Sequence, residues 1–382
     1  MNNEYYLNFL DSSEQSIKNR GESNVIPPIK NNRLSQFIDN KNLSQSMACS
    51  LRRSLDNLDK ELNVFENKFL NKYNSVFWAL DYNDVFDTLK KIIKSHKGKS
   101  VRLPNINVST IFRELGIKYF LRDEKIELSE DGDIQFFVAD MLLPDTGSLL
   151  LLNQSNKIFE KLFNNKVNVF FTTIDRVLSN TAYSEYYQLM CEGNNSAPQH
   201  EMIIFKGSPN CSNYLLIIDN QRSSLLKEKS LRQSLSCTHC MKCNDVCPIM
   251  LTIGEEPYNN VFTGPIANIT LPFLETIESY KHLVSACTLC GRCEEVCPVA
   301  MPIRQMILDE RNLLFTEGLF EKNHYKQLSK LRKFLTSRKK MNRPPFLKHL
   351  SLKSILSSDI KKSRVLLPFC KDSFNKSFQK NN

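Results

Sequence analysis

Cys237-Thr-His-Cys240-Met-Lys-Cys243-Asn-Asp-Val-Cys247-Pro248 and Cys287-Thr-Leu-Cys290-Gly-Arg-Cys293-Glu-Glu-Val-Cys297-Pro298 are two copies of one pattern. In each, three cysteines stand three residues apart, a fourth follows four residues on, and a proline closes the run. This is the spacing with which bacterial iron–sulfur proteins bind a 4Fe-4S cubane. Three cysteines on a loop that curls around one cube present thiolates to three of its irons. The fourth sits one helical turn onward, points away, and ligates the cluster held by the other motif. The expected ligand sets are therefore crossed: Cys237, Cys240, Cys243 and Cys297 for one cluster, and Cys287, Cys290, Cys293 and Cys247 for the other. Pro248 and Pro298 fix φ just after the crossing ligand and turn the chain away from the metal.

A pair of zinc sites is the competing reading, because CxxC pairs also build tetrahedral knuckles of four cysteines. Zinc needs only two such pairs, whereas here a third cysteine and the Cys-Pro ending recur in both motifs. His239 lies inside the first loop beside a complete cysteine set, which assigns it an outer or solvent-facing place rather than a ligand's. The 39 residues between Cys247 and Cys287 include a periodic apolar stretch, Leu271 to Ser285, expected to be helical. The spacing thus resembles the α-helical ferredoxin type, as in succinate dehydrogenase and heterodisulfide reductase subunits, rather than the compact two-hairpin ferredoxin.

Upstream the pattern changes. Leu51, Leu55, Leu58, Leu62, Phe65 and Phe69 alternate at spacings of four and three, one face of a leading helix. From about Ser75 short apolar runs alternate with helical stretches: Val76 to Leu80, Val85 to Ile93, Lys99 to Leu103 and Thr110 to Leu115. Further strands are expected at Ile134 to Ala139, Ser148 to Leu152, Val167 to Thr172 and Tyr214 to Ile218, with helices at Asn156 to Phe163 and Ile174 to Met190. Such alternation predicts an α/β layer fold with a mainly parallel sheet. The sequence holds no GxGxxG or P-loop between these elements, so nothing supports a nucleotide site. Met306 to Phe315 reads as a further helix, and Arg343-Pro344-Pro345 interrupts the helical stretch before it.

The 382 residues carry a net charge of +10, but Glu321 to Asn382 holds 17 Lys and Arg against 3 Asp and Glu, leaving the rest at −4. The basicity belongs to a tail without a regular aromatic pattern, which predicts a solvated or loosely docked segment and no nucleic-acid site. Peripheral contact of that tail with an anionic membrane face fits its charge. Residues 1–45, rich in Asn, Ser, Lys and Glu, read as an arm that orders poorly alone. The N-terminus has neither basic n-region nor apolar h-region, and no apolar run approaches the ~18 residues of a spanning helix. The expected location is the cytoplasm, where clustered cysteines hold metal rather than disulfides. Cys49, Cys191, Cys211 and Cys370 are isolated and read as free thiols.

Taken together, these residues resemble the lactate utilisation protein B family, the iron–sulfur subunit of a bacterial L-lactate-oxidising complex. The resemblance rests on both cysteine motifs, on Ile253-Gly254, Tyr258, Gly264-Pro265-Ile266 and Leu271-Pro272 between them, and on Pro298 to Ile303 after them. Upstream it continues in Asp145-Thr146-Gly147-Ser148 and in Ile217-Ile218-Asp219-Asn220-Gln221-Arg222. It implies a LUD domain of the NagB/RpiA/CoA-transferase-like α/β type at 46–221, an α-helical ferredoxin domain with two 4Fe-4S clusters at 222–320, and a basic tail at 321–382. It also implies a cysteine-rich CCG-domain subunit and a separate LUD-domain subunit as partners, together oxidising L-lactate to pyruvate. Met241 and Gln221 stand where the family commonly has glycine. No flavin motif, activated nucleophile or acid–base pair is legible, so the expected role is electron transfer without a catalytic site of its own. A heterodisulfide-reductase-like, glycolate- or glycerol-3-phosphate-oxidising complex would use the same wire. The single Asp145-Thr146-Gly147-Ser148 also spells an aspartic-protease tetrapeptide, but no second copy supplies the partner carboxylate.

Overall fold

The apolar stripe expected on one leading helix is carried by two. In the computed structural model, residues 41–96, 134–153, 166–191, 201–258, 262–319 and 322–355 are described, with Ser12, Gln15 and Leu162. Helix α1 runs Lys41–Asp56 and α2 runs Leu58–Phe69. Asn57 divides them, its backbone and side-chain amides both donating to the Arg53 carbonyl at 3.1 and 3.0 Å; such local bonds compete with helix propagation. Leu58, Leu62, Phe65 and Phe69 of α2 are buried, and the two phenylalanines stack with centroids 5.3 Å apart.

Then come β1 (Asn74–Ala79), α3 (Tyr82–His96), β2 (Ile134–Val138), β3 (Met141–Leu143), β4 (Ser148–Asn153), β5 (Val167–Thr173), α4 (Ser184–Cys191), β6 (Glu201–Phe205) and β7 (Ser212–Ile218). The order β1-β7-β5-β2 makes a parallel sheet, and β3-β4-β6 a smaller antiparallel one. Successive side chains of a strand point to opposite faces. Val167, Val169, Phe171, Leu216 and Ile218 accordingly pack with Val85, Leu89 and Ile92 of α3. Phe170, Leu215 and Ile217 meet α2 and Leu149, Leu151, Ile203 and Phe205 of the second sheet. Every residue of β5 is buried, as a central strand covered on both faces requires. Each large apolar side chain so enclosed contributes about 1.5–3 kcal/mol.

A polar row crosses the start of the parallel sheet. Asn74, Asn213 and Asn168 lie in one register on β1, β7 and β5. Asn168 donates to Asn213, and Asn213 to Asn74, at 3.0 Å each. Asn74 also donates to the carbonyls of Phe69 and Lys206, and Asn168 to that of Leu162. All three are buried. A buried amide stripped of partners costs about 1–3 kcal/mol, so the row holds the strands in register.

The strands read from the sequence form within two residues of their expected bounds; β3 and β6 are additions. The helix expected over Ile174 to Met190 is shorter. Its first part is drawn into a bridge between Leu142 and Val177, and Asn180 caps a 3-10 turn, Thr181–Tyr183, before α4 begins. Lys99 to Leu103, Thr110 to Leu115 and, apart from Leu162, Asn156 to Phe163 lie outside the described residues. The tetrapeptide from Asp145 to Ser148 forms the β3–β4 turn. Gly147 has φ +65°, and a Cβ there would stand 2.5 Å from Lys68 Cβ. The Asp145 carboxylate accepts from Thr181 N and Oγ1 at 2.8 and 2.6 Å, which makes it a turn-fixing group.

After β7 the chain is helical: α5 (Arg222–Lys227), α6 (Lys242–Val246), α7 (Pro248–Ile253), α8 (Gly264–Leu274), α9 (Ile277–Tyr280), α10 (Leu283–Ala286), α11 (Arg292–Glu295), α12 (Ile303–Thr316), α13 (Lys322–Leu335), α14 (Arg338–Met341) and α15 (Pro345–Ile355). The single helix expected over Leu271 to Ser285 is divided instead. α8 starts earlier and contains Pro272, and Thr276 accepts from Ser279 N to start α9 afresh. The chain clusters into two units, one ending at Glu310 and one beginning at Arg311. In the second unit Pro345 opens α15 as the first helical residue, where its missing N–H costs nothing. Among the described residues no helix is long and apolar enough to cross a membrane.

Candidate metal centre

The two cysteine loops share one backbone. His239 and Leu289, third in their motifs, have φ of +54° and +58°; Met241 and Gly291, fifth, have +58° and +83°. In each loop the amide two residues past the first cysteine donates to its sulfur, His239 N to Cys237 Sγ at 3.4 Å and Leu289 N to Cys287 Sγ at 3.3 Å. The left-handed fifth residue then launches a short helix, α6 or α11, which carries the third cysteine. Glycine takes the left-handed region freely, whereas an L side chain pays about 1–2 kcal/mol there. Met241 and, at φ +64°, Gln221 carry that strain where glycine would not. Met241 is also exposed, so trimming it removes little packing. Met241→Gly is expected to raise the melting temperature of the anaerobic, cluster-loaded protein by about 2 °C, and Gly291→Met to lower it similarly. A fall with Met241→Gly in differential scanning fluorimetry would show that the side chain is needed.

One cavity is lined by Cys237, Cys240 and Cys243 of the first motif and by Cys297 of the second. Its walls are Phe262, Ile266, Val299, Met301 and Ile303, and no carboxylate lines it. Burial pushes the Cys237 thiol up to about 12 and Cys297 to about 11, and holds Cys243 well above its ordinary range. As free thiols the set would be neutral and unreactive, so loading a metal requires proton release. Met301 N donates to Cys297 Sγ at 3.4 Å, aiming the crossing sulfur. Four thiols around an apolar space, with amides turned to their sulfurs, fit a 4Fe-4S cube. A zinc ion needs four donors at about 2.0–2.3 Å from one point. Among the described residues no three His, Cys, Asp or Glu are arranged to hold a single ion.

The second expected set is Cys247 from the first motif with Cys287, Cys290 and Cys293. Burial pushes the Cys293 thiol up to about 12, and nearby charge on Cys287, Cys247, Glu294 and Cys290 adds to the rise. Cys290 is exposed and Cys293 buried, with Cys247 and Cys287 between. The helices carrying Cys243 and Cys293, α6 and α11, pack together. His239 stacks on Phe262 with centroids 4.8 Å apart, and burial drives its pKa well below the usual imidazole value. It is a neutral wall residue beside the cysteines. Cys49, Cys191 and Cys211 are free thiols; Cys370 lies outside the described residues.

The first loop rests against the segments that leave the ends of β5 and β7. Cys191 Sγ, at the end of α4, donates to the Thr238 carbonyl at 3.6 Å. Arg176 donates to Tyr187 Oη at 3.2 Å, and its charge is felt at Cys237. Arg222 forms a 2.7 Å ion pair with Asp175, both side chains buried. Of these only Arg222 lay in a segment singled out from the sequence; Arg176, Asp175 and Tyr187 belong to no motif, and their proximity arises from strand ends that topology alone brings together.

The model of a 4Fe-4S dicluster domain matches residues 233–301. "Lactate utilization protein B" of an Exiguobacterium species is 36% identical over 104 residues, 27% of this chain and 22% of that protein. "Lactate utilization protein B" of Bacillus thuringiensis is 37% identical over 101 residues, 26% of this chain and 21% of the relative. The similarity thus spans about a fifth of the length of these curated relatives. A crystal structure of a DUF162 family protein from Deinococcus radiodurans aligns over 42% of this chain and 98% of its own, at 14% identity and a TM-score of 0.29. Over these matched segments the chain is similar to 4Fe-4S dicluster domains and to curated proteins named lactate utilization protein B.

Proposed function

We propose that this chain is the electron-transfer subunit of a cytoplasmic complex that oxidises L-lactate to pyruvate. The observation that carries the reading is the apolar cavity lined by Cys237, Cys240, Cys243 and Cys297, with Cys247, Cys287, Cys290 and Cys293 as the second set. Oxidation of lactate to pyruvate releases two electrons and two protons, and a 4Fe-4S cluster supplies a one-electron acceptor, so two clusters match the pair. This chain's residues hold the thiolates, exclude water from the first site and turn amides to the sulfurs. The domain plan that goes with this is an arm at 1–45, a LUD-like domain of the NagB/RpiA/CoA-transferase-like type at 46–221, an α-helical ferredoxin domain at 222–320 and a basic tail at 321–382. CCG-domain and separate LUD-domain subunits complete the complex and carry the substrate chemistry.

Anaerobically purified protein is expected to be brown, with about eight irons and eight acid-labile sulfides per chain. Lactate alone leaves its clusters oxidised, and lactate with the partner subunits reduces them, read as bleaching near 400 nm. A colourless chain with stoichiometric zinc overturns the cluster reading. Reduction by glycolate or glycerol 3-phosphate but not lactate moves the chain to one of the sister complexes.

A further inference from the structure

Helix α1 precedes the α/β layers by sequence, yet it touches both chain segments that bring ligands to the first cavity. Asp56 at its end forms a 2.8 Å ion pair with Arg232, in the turn Arg232–Ser236 that leads into Cys237. Arg52 reaches the far side: one guanidinium nitrogen donates to the carbonyls of Val299 and Ala300 at 3.3 and 3.0 Å, across 247 and 248 residues of sequence. Those carbonyls belong to the turn that shapes Cys297. Ala300 sits at φ +48°, its amide donates to the Cys297 carbonyl at 3.0 Å, and Met301 N donates to Cys297 Sγ at 3.4 Å. A non-glycine residue in the left-handed region persists only where its surroundings hold it. The Arg52 bonds supply that hold, while Met47, Ala48, Leu51 and Leu55 bury the adjoining face of α1 and fix the arginine's origin.

We propose that Arg52 is a positioning residue for the cluster held by Cys237, Cys240, Cys243 and Cys297: it clamps the turn that aims Cys297 and places a positive charge beside that cluster rather than the other. The inference deepens the two-cluster reading and rests on it. A cation near a cluster favours the reduced, more negative core, and a charge-assisted hydrogen bond is stronger and shorter than a neutral one. The Arg52 guanidinium lies 3.3 and 3.0 Å from the carbonyls two and three residues past Cys297, whereas Arg304, which lies against Gly291 of the second loop, is exposed and offset by Glu294 at 3.5 Å.

The test is an anaerobic redox titration of the full-length, cluster-loaded chain, each cluster taking one electron from the titrant and read by paramagnetic resonance. Signals are assigned beforehand through Cys240→Ser and Cys290→Ser. Arg52→Gln is expected to disfavour reduction of the first cluster about tenfold, about 59 mV for one electron, and to leave the second unmoved. Arg52→Lys keeps the charge and most of the potential but loses the shared donation, so the first cluster gives up iron to a chelator several-fold faster. The second cluster's intact signal reports that each variant is folded. Equal shifts in both clusters, or no change in potential and iron retention, overturn the proposal while the two-cluster reading stands. A wild-type protein with one signal and four irons overturns both.

Discussion

Cys297→Ser is expected to destroy the cluster held by Cys237, Cys240 and Cys243 while sparing the one nearest it in sequence, and Cys247→Ser to do the reverse. Sequence proximity alone suggests the opposite. The cavity that takes three thiols from the first motif takes its fourth from residue 297. Iron should fall from about eight towards about four per chain in each variant. Each should also loosen the fold, because metal binding contributes to the folding free energy and the crossing bond ties segments about fifty residues apart. Paramagnetic resonance of the reduced protein distinguishes the cases. If Cys297→Ser removes the same signal as Cys290→Ser and leaves the Cys240 signal intact, each motif binds its own cluster and the crossed assignment is wrong.

Asp175→Asn should be the most damaging substitution away from the cysteines. Asp175 and Arg222 meet at 2.7 Å with their side chains almost wholly enclosed, and burial already lowers the Arg222 pKa below its usual value. Arg176 adds a like charge nearby, and Asp219 offers only partial relief. Removing one partner of a buried pair costs about 3–5 kcal/mol because the survivor stays charged without its counter-ion. Replacing both by apolar groups of similar volume is often neutral or better. Asp175→Asn is therefore expected to lower the melting temperature by several degrees, and the double change Asp175→Leu with Arg222→Met to recover most of it. A double variant no more stable than Asp175→Asn would assign Arg222 a role beyond ion pairing, such as holding the first loop.

The cysteine motifs were legible because metal chemistry imposes spacing on sequence, and most strands because burial on both faces leaves apolar runs such as Leu215 to Ile218. The elements that escaped were set by distant partners. β3 has three residues, too few for a period, and owes its existence to β4 and to the bridge with Val177. The same bridge shortened the helix expected from Ile174, and Thr276 broke the one expected from Leu271. Around the first loop, Arg52, Arg176 and Asp175 carry no local signature. An arginine on an amphipathic helix reads as a solvated face, and only the tertiary fold turns it towards residues 299 and 300.

The row Asn74, Asn213 and Asn168 has an effect at the opposite end of the strands it joins. A slip of one residue displaces a strand by about 3.3 Å and exchanges its faces. With the amides interlocked at the start of β1, β7 and β5, the strand tips can occupy one setting only, and on those tips stand Asp175, Arg176 and the turn into Arg222. Electron hopping falls steeply with distance, so a wire tolerates little play in its mountings. The buried amides thus act as an index pin: under the proposed electron-transfer role, the seat of the first loop is set by hydrogen bonds at the far end of the strands.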